Sequence, residues 1–123
     1  GKKIHFMTSH RDAYRQLKNN DTLFEEIRVV EESMGDRGGF CYLPKDKIQA
    51  AASNIPHMAV LAFTTRVEGL DTSHVGFTFW RHDSLTFIHA SSSRGEVVVD
   101  QNSLGDYCAA QPSCTGVIVA RVL

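Results

Sequence analysis

The sequence predicts an α+β domain, with helices first and an antiparallel sheet after them. Three observations carry this. Apolar residues before Met34 recur at helical spacing, and from Met58 onward short runs rich in Val, Ile, Phe and Thr alternate with polar turns. The connections between the first four of those runs are too short for the crossovers that parallel strands need. With 123 residues, 42% of them hydrophobic, residues 1–123 hold enough for one core and too little for two ordinary domains.

MTSHRDAYRQLKNN reads as the first helix: Thr8 or Ser9 can cap it, Ala13, Tyr14 and Leu17 share a face, and Asn19-Asn20 stop it. A second helix starts at Asp21 or Thr22, where Thr22 and Glu25 have capping-box spacing, and it carries Leu23, Ile27, Val30 and Met34 on one stripe. Its IRVVEE segment also fits a strand. Gly35-Asp36-Arg37-Gly38-Gly39 is a turn, and Pro44 opens a short helix that AASNIP closes. Five strands follow: MAVLAFTT, HVGFTFW, LTFIHAS, EVVVD and GVIVARVL, the first four as a meander. A short helix over Ser103 to Ala110 precedes the last.

The formal charge of −1 gives no electrostatic footprint for nucleic acid. No apolar run is long enough to insert into a membrane, and Gly1-Lys2-Lys3 is not followed by the apolar core of a signal peptide. Among the three cysteines, Cys108 and Cys114 are close enough in sequence for a small disulfide loop; three free thiols is the alternative.

Two histidines stand out in DTSHVGFTFWRHDSLTFIHASS. An even-numbered loop centred between Arg81 and His82 sets His74 opposite His89; a His82-Asp83 loop shifts the pairing by two and leaves the rings diagonal on one face. Only an odd-numbered loop separates them. Two such imidazoles can act as a base and its orienter. A metal is not expected, because Asp71 and His82 complete no tight ligand pattern. Two strand histidines without chemistry are the plainer reading. The base reading needs a nucleophile, yet no cysteine sits at a helix start, and Ser73, Ser91 and Ser92 lack a nucleophile elbow.

GLDTSHVGF, LTFIHASS, EVVVD, SLGDY and GVIVARVL, with FMTSHRDAYRQL, VVEESM and YLPKDKI upstream, resemble the C-terminal part of the DUF1460 family of N-acetylmuramoyl-L-alanine amidase-like proteins, in the NlpC/P60 superfamily. The resemblance implies a papain-like fold and cleavage of the amide between the muramic acid lactyl group and L-alanine. It makes His74 the general base and His89 the orienting third member; Asp71, Ser73 and Ser91, close to them in sequence, are candidate polar contacts for a bound muropeptide. The family's cysteine lies in a DC-type motif on an earlier helical segment that this sequence does not contain, so the chain is expected to be inactive alone. Two other readings stay open: a non-catalytic muropeptide-binding module, and an active hydrolase recruiting Cys41 or a partner's cysteine. The pattern departs at Pro56-His57-Met58, where the family tends to carry a Gly-Asp pair, which alters the local turn. The resemblance further implies peptidoglycan fragments as partners, no cofactor, and a periplasmic or cell-envelope location. The sheet face that the cysteine helix covers is left to the helices near Ala13 and Ile27, or to a second copy in a homodimer.

Overall fold

The computed structural model describes residues 2–123, which gather into two compact units. One comprises the residues up to Phe40 together with Val67–Asp71; the other comprises Cys41–Arg66 and Thr72–Leu123.

The first unit is helical. Helices α1 (Phe6–Ser9) and α2 (Arg15–Lys18) flank a 3₁₀ turn at Arg11–Ala13, and α3 runs over Asp21–Asp36. The single first helix expected from the spacing is therefore broken. Tyr14, between the two pieces, is extended at φ −110° and ψ 108°, and neither Thr8 nor Ser9 caps a helix. IRVVEE is helical. The cap of α3 is Asn20, whose side chain accepts from Leu23 N at 2.9 Å. Glu25, expected in a capping box, instead takes part in an ion pair with Arg28. Along α3 it is Glu31, not Val30, that continues the inward stripe. Its carboxylate accepts the Met7 and Thr8 amides at 3.1 and 3.2 Å, satisfying two donors that the first turn of α1 leaves unpaired.

The second unit is built on a six-stranded antiparallel sheet in the order β1-β6-β2-β3-β4-β5. Its strands are β1 (Leu43–Pro44), β2 (Val60–Thr65), β3 (Thr72–Arg81), β4 (Ser84–Ser91), β5 (Glu96–Val99) and β6 (Cys114–Ala120). The meander is as expected. The additional strand, β1, is two residues long and too short to show a period; it adds itself to β6 through Leu43↔Val117. Helices α4 (Ile48–Ala51) and α5 (Leu104–Ala110) cover the inner face of the sheet, where Ile48, Leu104 and Cys108 meet Leu61, Phe63, Phe87 and Val117. The 3₁₀ turn at Lys45–Lys47 takes the place of the helix start predicted at Pro44.

The loop between β3 and β4 is His82-Asp83, with Arg81↔Ser84 closing the hairpin and His82 in the left-handed region at φ 55°. The register is thus the one shifted by two. Met58 also adopts positive φ, 58°. That is the backbone a glycine would tolerate at less cost. Two register shifts bend one end of the sheet: Phe63↔His74 is followed by Thr64↔Thr72, leaving Ser73 extra in β3, and Thr64↔Gly116 by Thr65↔Cys114, leaving Thr115 extra in β6.

Candidate functional site

At that bent end, within the second unit, lies a cavity of about 470 Å³. Its wall carries His74 and Ser73 from β3, His89 and Ser91 from β4, Asp100 just past β5, Tyr107 from α5, and Ser113 and Cys114 at the start of β6. Thus four of the five residues singled out from the sequence meet at one place. The fifth, Asp71, belongs to the first unit and is not among the residues lining this cavity.

The register explains how the two imidazoles meet. Phe77↔Ile88 is the last pair of the β3–β4 ladder on this side, so one step further Gly76 stands across from His89 and His74 is diagonal to it. On a flat pleat such a diagonal is about 7–8 Å between backbones, within reach of long side chains. Here Nε2 of His74 lies 2.9 Å from Nδ1 of His89. Gly76 makes room for this. A Cβ at that position would run into the Ile88 carbonyl oxygen and crowd the Phe87 ring and His89 Cβ.

Beyond His89 the line continues, with its Nε2 2.8 Å from Asp100 Oδ2. Asp100 is held by its neighbours: its amide donates to Phe87 O at 2.9 Å, and its Oδ1 accepts from Asn102 N at 2.9 Å. The Thr86 hydroxyl lies 2.9 Å from Asp100 O and 2.7 Å from Asn102 O, sharing its one proton between them. Aromatic rings bed the imidazoles. Phe87 stacks on His89 with centroids 4.2 Å apart, Tyr107 meets it edge-on at 5.7 Å, and Phe63 lies 6.1 Å from His74.

This bed shapes the electrostatics. Burial, then the neighbouring His89, pushes His74 below the usual histidine value, so its ring stays neutral at neutral pH and can accept a proton. Burial, then Asp100, raises the Tyr107 phenol above its usual value, so it stays protonated. His89 is only 7% exposed, which turns the strand histidine of the plainer reading into an interior, fully hydrogen-bonded group.

Cys108 and Cys114 are joined in a disulfide with Cα atoms 5.5 Å apart, which decides between the alternatives left by the sequence. Cys114 therefore reaches the cavity as half of a cystine. Cys41 is free and exposed before β1. Among the described residues, no group of three or more His, Cys, Asp or Glu is placed to hold a metal ion. No helix there is long and apolar enough to cross a membrane.

Asp100 and Tyr107 escaped sequence reasoning, although one of them left a trace. Pairing LTFIHAS with EVVVD across a four-residue turn puts His89 against Val98 and Asp100 against Phe87, the diagonal neighbour position of His89. Tyr107 left none, since only the tertiary position of α5 brings it in.

A family model described as N-acetylmuramoyl-L-alanine amidase-like, AmiA-like, matches residues 2–117. The chain belongs to this AmiA-like family. Solved structures agree. A Bacteroides fragilis protein, described provisionally as a xylanase, superposes with TM-score 0.86 at 32% identity, over 98% of this chain and 52% of its own. An N-acetylmuramoyl-L-alanine amidase from Bacteroides uniformis gives TM-score 0.83 at 30% identity, over 98% and 52%. A DUF1460 protein from Legionella pneumophila gives TM-score 0.55 at 27% identity, over 97% and 48%. The chain thus spans about half the length of these solved proteins. No curated protein matches it.

Proposed function

We propose that this chain supplies the general-base half of a cysteine amidase site, of the NlpC/P60, papain-like kind, that cleaves the lactyl–L-alanine amide of muropeptides in the periplasm or cell envelope. The observation that carries the reading is the hydrogen-bonded line His74–His89–Asp100 along a cavity rich in serine hydroxyls. In the reaction His74 takes the proton of a thiol, and the thiolate adds to the lactyl carbonyl. His74 then returns the proton to the alanine nitrogen as the C–N bond breaks. Water, activated by the same ring, releases the acyl group from sulfur. His89 holds His74 in place, and Ser73 and Ser91 are suited to hydrogen-bond substrate.

The thiol is not supplied by the described residues lining the cavity, whose sulfur is locked in the cystine. Cys41 is remote: Leu43, Val117, Phe63 and His74 stand in one row across β1, β6, β2 and β3. Three strand spacings of about 4.8 Å put β1 roughly 14 Å from β3. This weighs against recruitment of Cys41 and favours, as a second reading, a chain that binds muropeptides without cleaving them. A glycosidase reading has little support, since that chemistry uses two carboxyl groups and the cavity wall carries one, Asp100, already engaged by His89.

The test is mass spectrometry of anhydro-muropeptides incubated with the purified chain and its His74→Ala variant, with calorimetry of binding in parallel. Intact substrate in both samples, with saturable binding, is the expected result. Free peptide released by the chain but not the variant would mean that a nucleophile is already present; flat calorimetry across a panel of fragments would remove the muropeptide reading.

A further inference from the structure

We infer that Asp100 is a positioning residue that sets the tautomer of both imidazoles and so makes Nδ1 of His74 the atom that accepts the proton. The proton-accepting role rests on the amidase reading above; the tautomer assignment rests on hydrogen-bond geometry alone.

An ionised carboxylate can only accept, so the hydrogen in the 2.8 Å contact belongs to Nε2 of His89. At about pH 8, above the range in which imidazoles carry a charge, each ring has one N–H, so there Nδ1 of His89 must be an acceptor. The hydrogen in the 2.9 Å contact between the rings then sits on Nε2 of His74. What remains is the lone pair on Nδ1 of His74, which makes no hydrogen bond among the described residues and sits on a ring that borders the cavity. The other ionisable groups on the cavity wall do not compete: Tyr107 reaches His89 only through ring contact, and Asp100 is the one carboxylate.

The second carboxylate oxygen makes the arrangement directional. Oδ1 of Asp100 accepts the backbone amide of Asn102 at 2.9 Å, and the Thr86 hydroxyl holds both residues' carbonyls. In an Asp100→Asn variant that backbone N–H still requires an oxygen, so the side-chain carbonyl stays with Asn102 and the NH₂ group turns to His89. The new donor makes Nε2 of His89 an acceptor, moves its hydrogen to Nδ1, and makes Nε2 of His74 an acceptor in turn. The hydrogen of His74 then moves to Nδ1. One isosteric change, two residues removed along the line, converts the proton acceptor into a donor. Asp100→Ala instead removes the rule and lets both rings exchange tautomers.

Nitrogen–proton multiple-bond correlation spectra of the ¹⁵N-labelled chain at about pH 8, above the histidine range, read these states ring by ring. Expected are Nε2–H tautomers for His74 and His89 in the native chain, Nδ1–H tautomers for both in Asp100→Asn, and averaged shifts in Asp100→Ala. A native His74 or His89 bearing its hydrogen on Nδ1 overturns the inference, as does a folded Asp100→Asn protein that keeps the native pattern. Backbone amide spectra report whether the variant is folded, and the native tautomers decide the matter if it is not. None of these readouts needs turnover. An inactive chain leaves the inference standing, and muropeptide cleavage does not rescue it from the wrong tautomer.

Discussion

Among the helix residues of the first unit only Leu17 and Glu31 are buried, whereas the sheet unit buries Leu61, Phe63, Phe87, Leu104 and Val117 around a cystine. The helical unit leans instead on exposed polar contacts: Arg28 between Glu25 and Glu32, Arg11 with Asp21, and the Asn20 cap. Exposed ion pairs contribute little in water, while each large apolar side chain removed from water contributes about 1.5–3 kcal/mol. The difference teaches where rigidity is available. The imidazole pair stands on the unit that can hold it to a fraction of an ångström, and the helical unit should open at lower free energy.

The strongest way to break the contrast is Phe87→Ala, which empties a fully buried position directly under His89. A loss of about 3–5 kcal/mol is expected from the denaturant midpoint of the sheet unit. A loss below about 1 kcal/mol would mean that the site is not tied to the core. Next comes the double change Cys108→Ser with Cys114→Ser. A bridge closing so short a loop, six residues apart in sequence, should contribute about 2 kcal/mol. Hydrogen exchange should show the loss on α5 and β6 and leave α3 unchanged.

A smaller effect follows from His74, whose pKa is lowered in the folded chain by burial and by His89. The unfolded chain takes up this proton first, near the ordinary value of about 6.5, so the folded state binds fewer protons over that range. Stability from this group is therefore full above about pH 6.5, falls as the pH drops through it, and levels off below the folded value. Thermal melts over that range should be steeper in pH for the native chain than for His74→Ala. The smallest effect sharpens the comparison from the other side. Arg28→Ala removes two ion pairs at once, yet it should leave the melting curve unmoved, because both partners are well exposed.

How much of this was legible in the sequence follows the same division. The meander of β2 to β5 could be read because strand period, short turns and β-branched residues agree there; the imidazole pair was legible only as a condition, that the turn hold an even number of residues, which the His82-Asp83 loop meets. The first helix was misread because Tyr14 leaves the helical region between two stretches that share its apolar spacing. β1 was missed because two residues before a 3₁₀ turn carry no pattern, and their strand character comes from pairing with β6. Asp100 sat at the end of a strand in plain view. Its role depends on a register that a composition-based reading does not carry through to the next strand.

The two-residue turn at His82-Asp83 has a consequence for how this molecule can change over generations. Surface hairpin tips usually accept gained or lost residues at small cost. Here the side chains of Leu85, Phe87 and His89 all reach the interior only because the tip holds an even count. A single inserted residue would turn that whole set outward or force a bulge, while a pair of inserted residues would only lengthen the tip. An exposed tip eight residues along the chain from His74 is thus constrained in its arithmetic though not in its chemistry. Length variation there should come in steps of two.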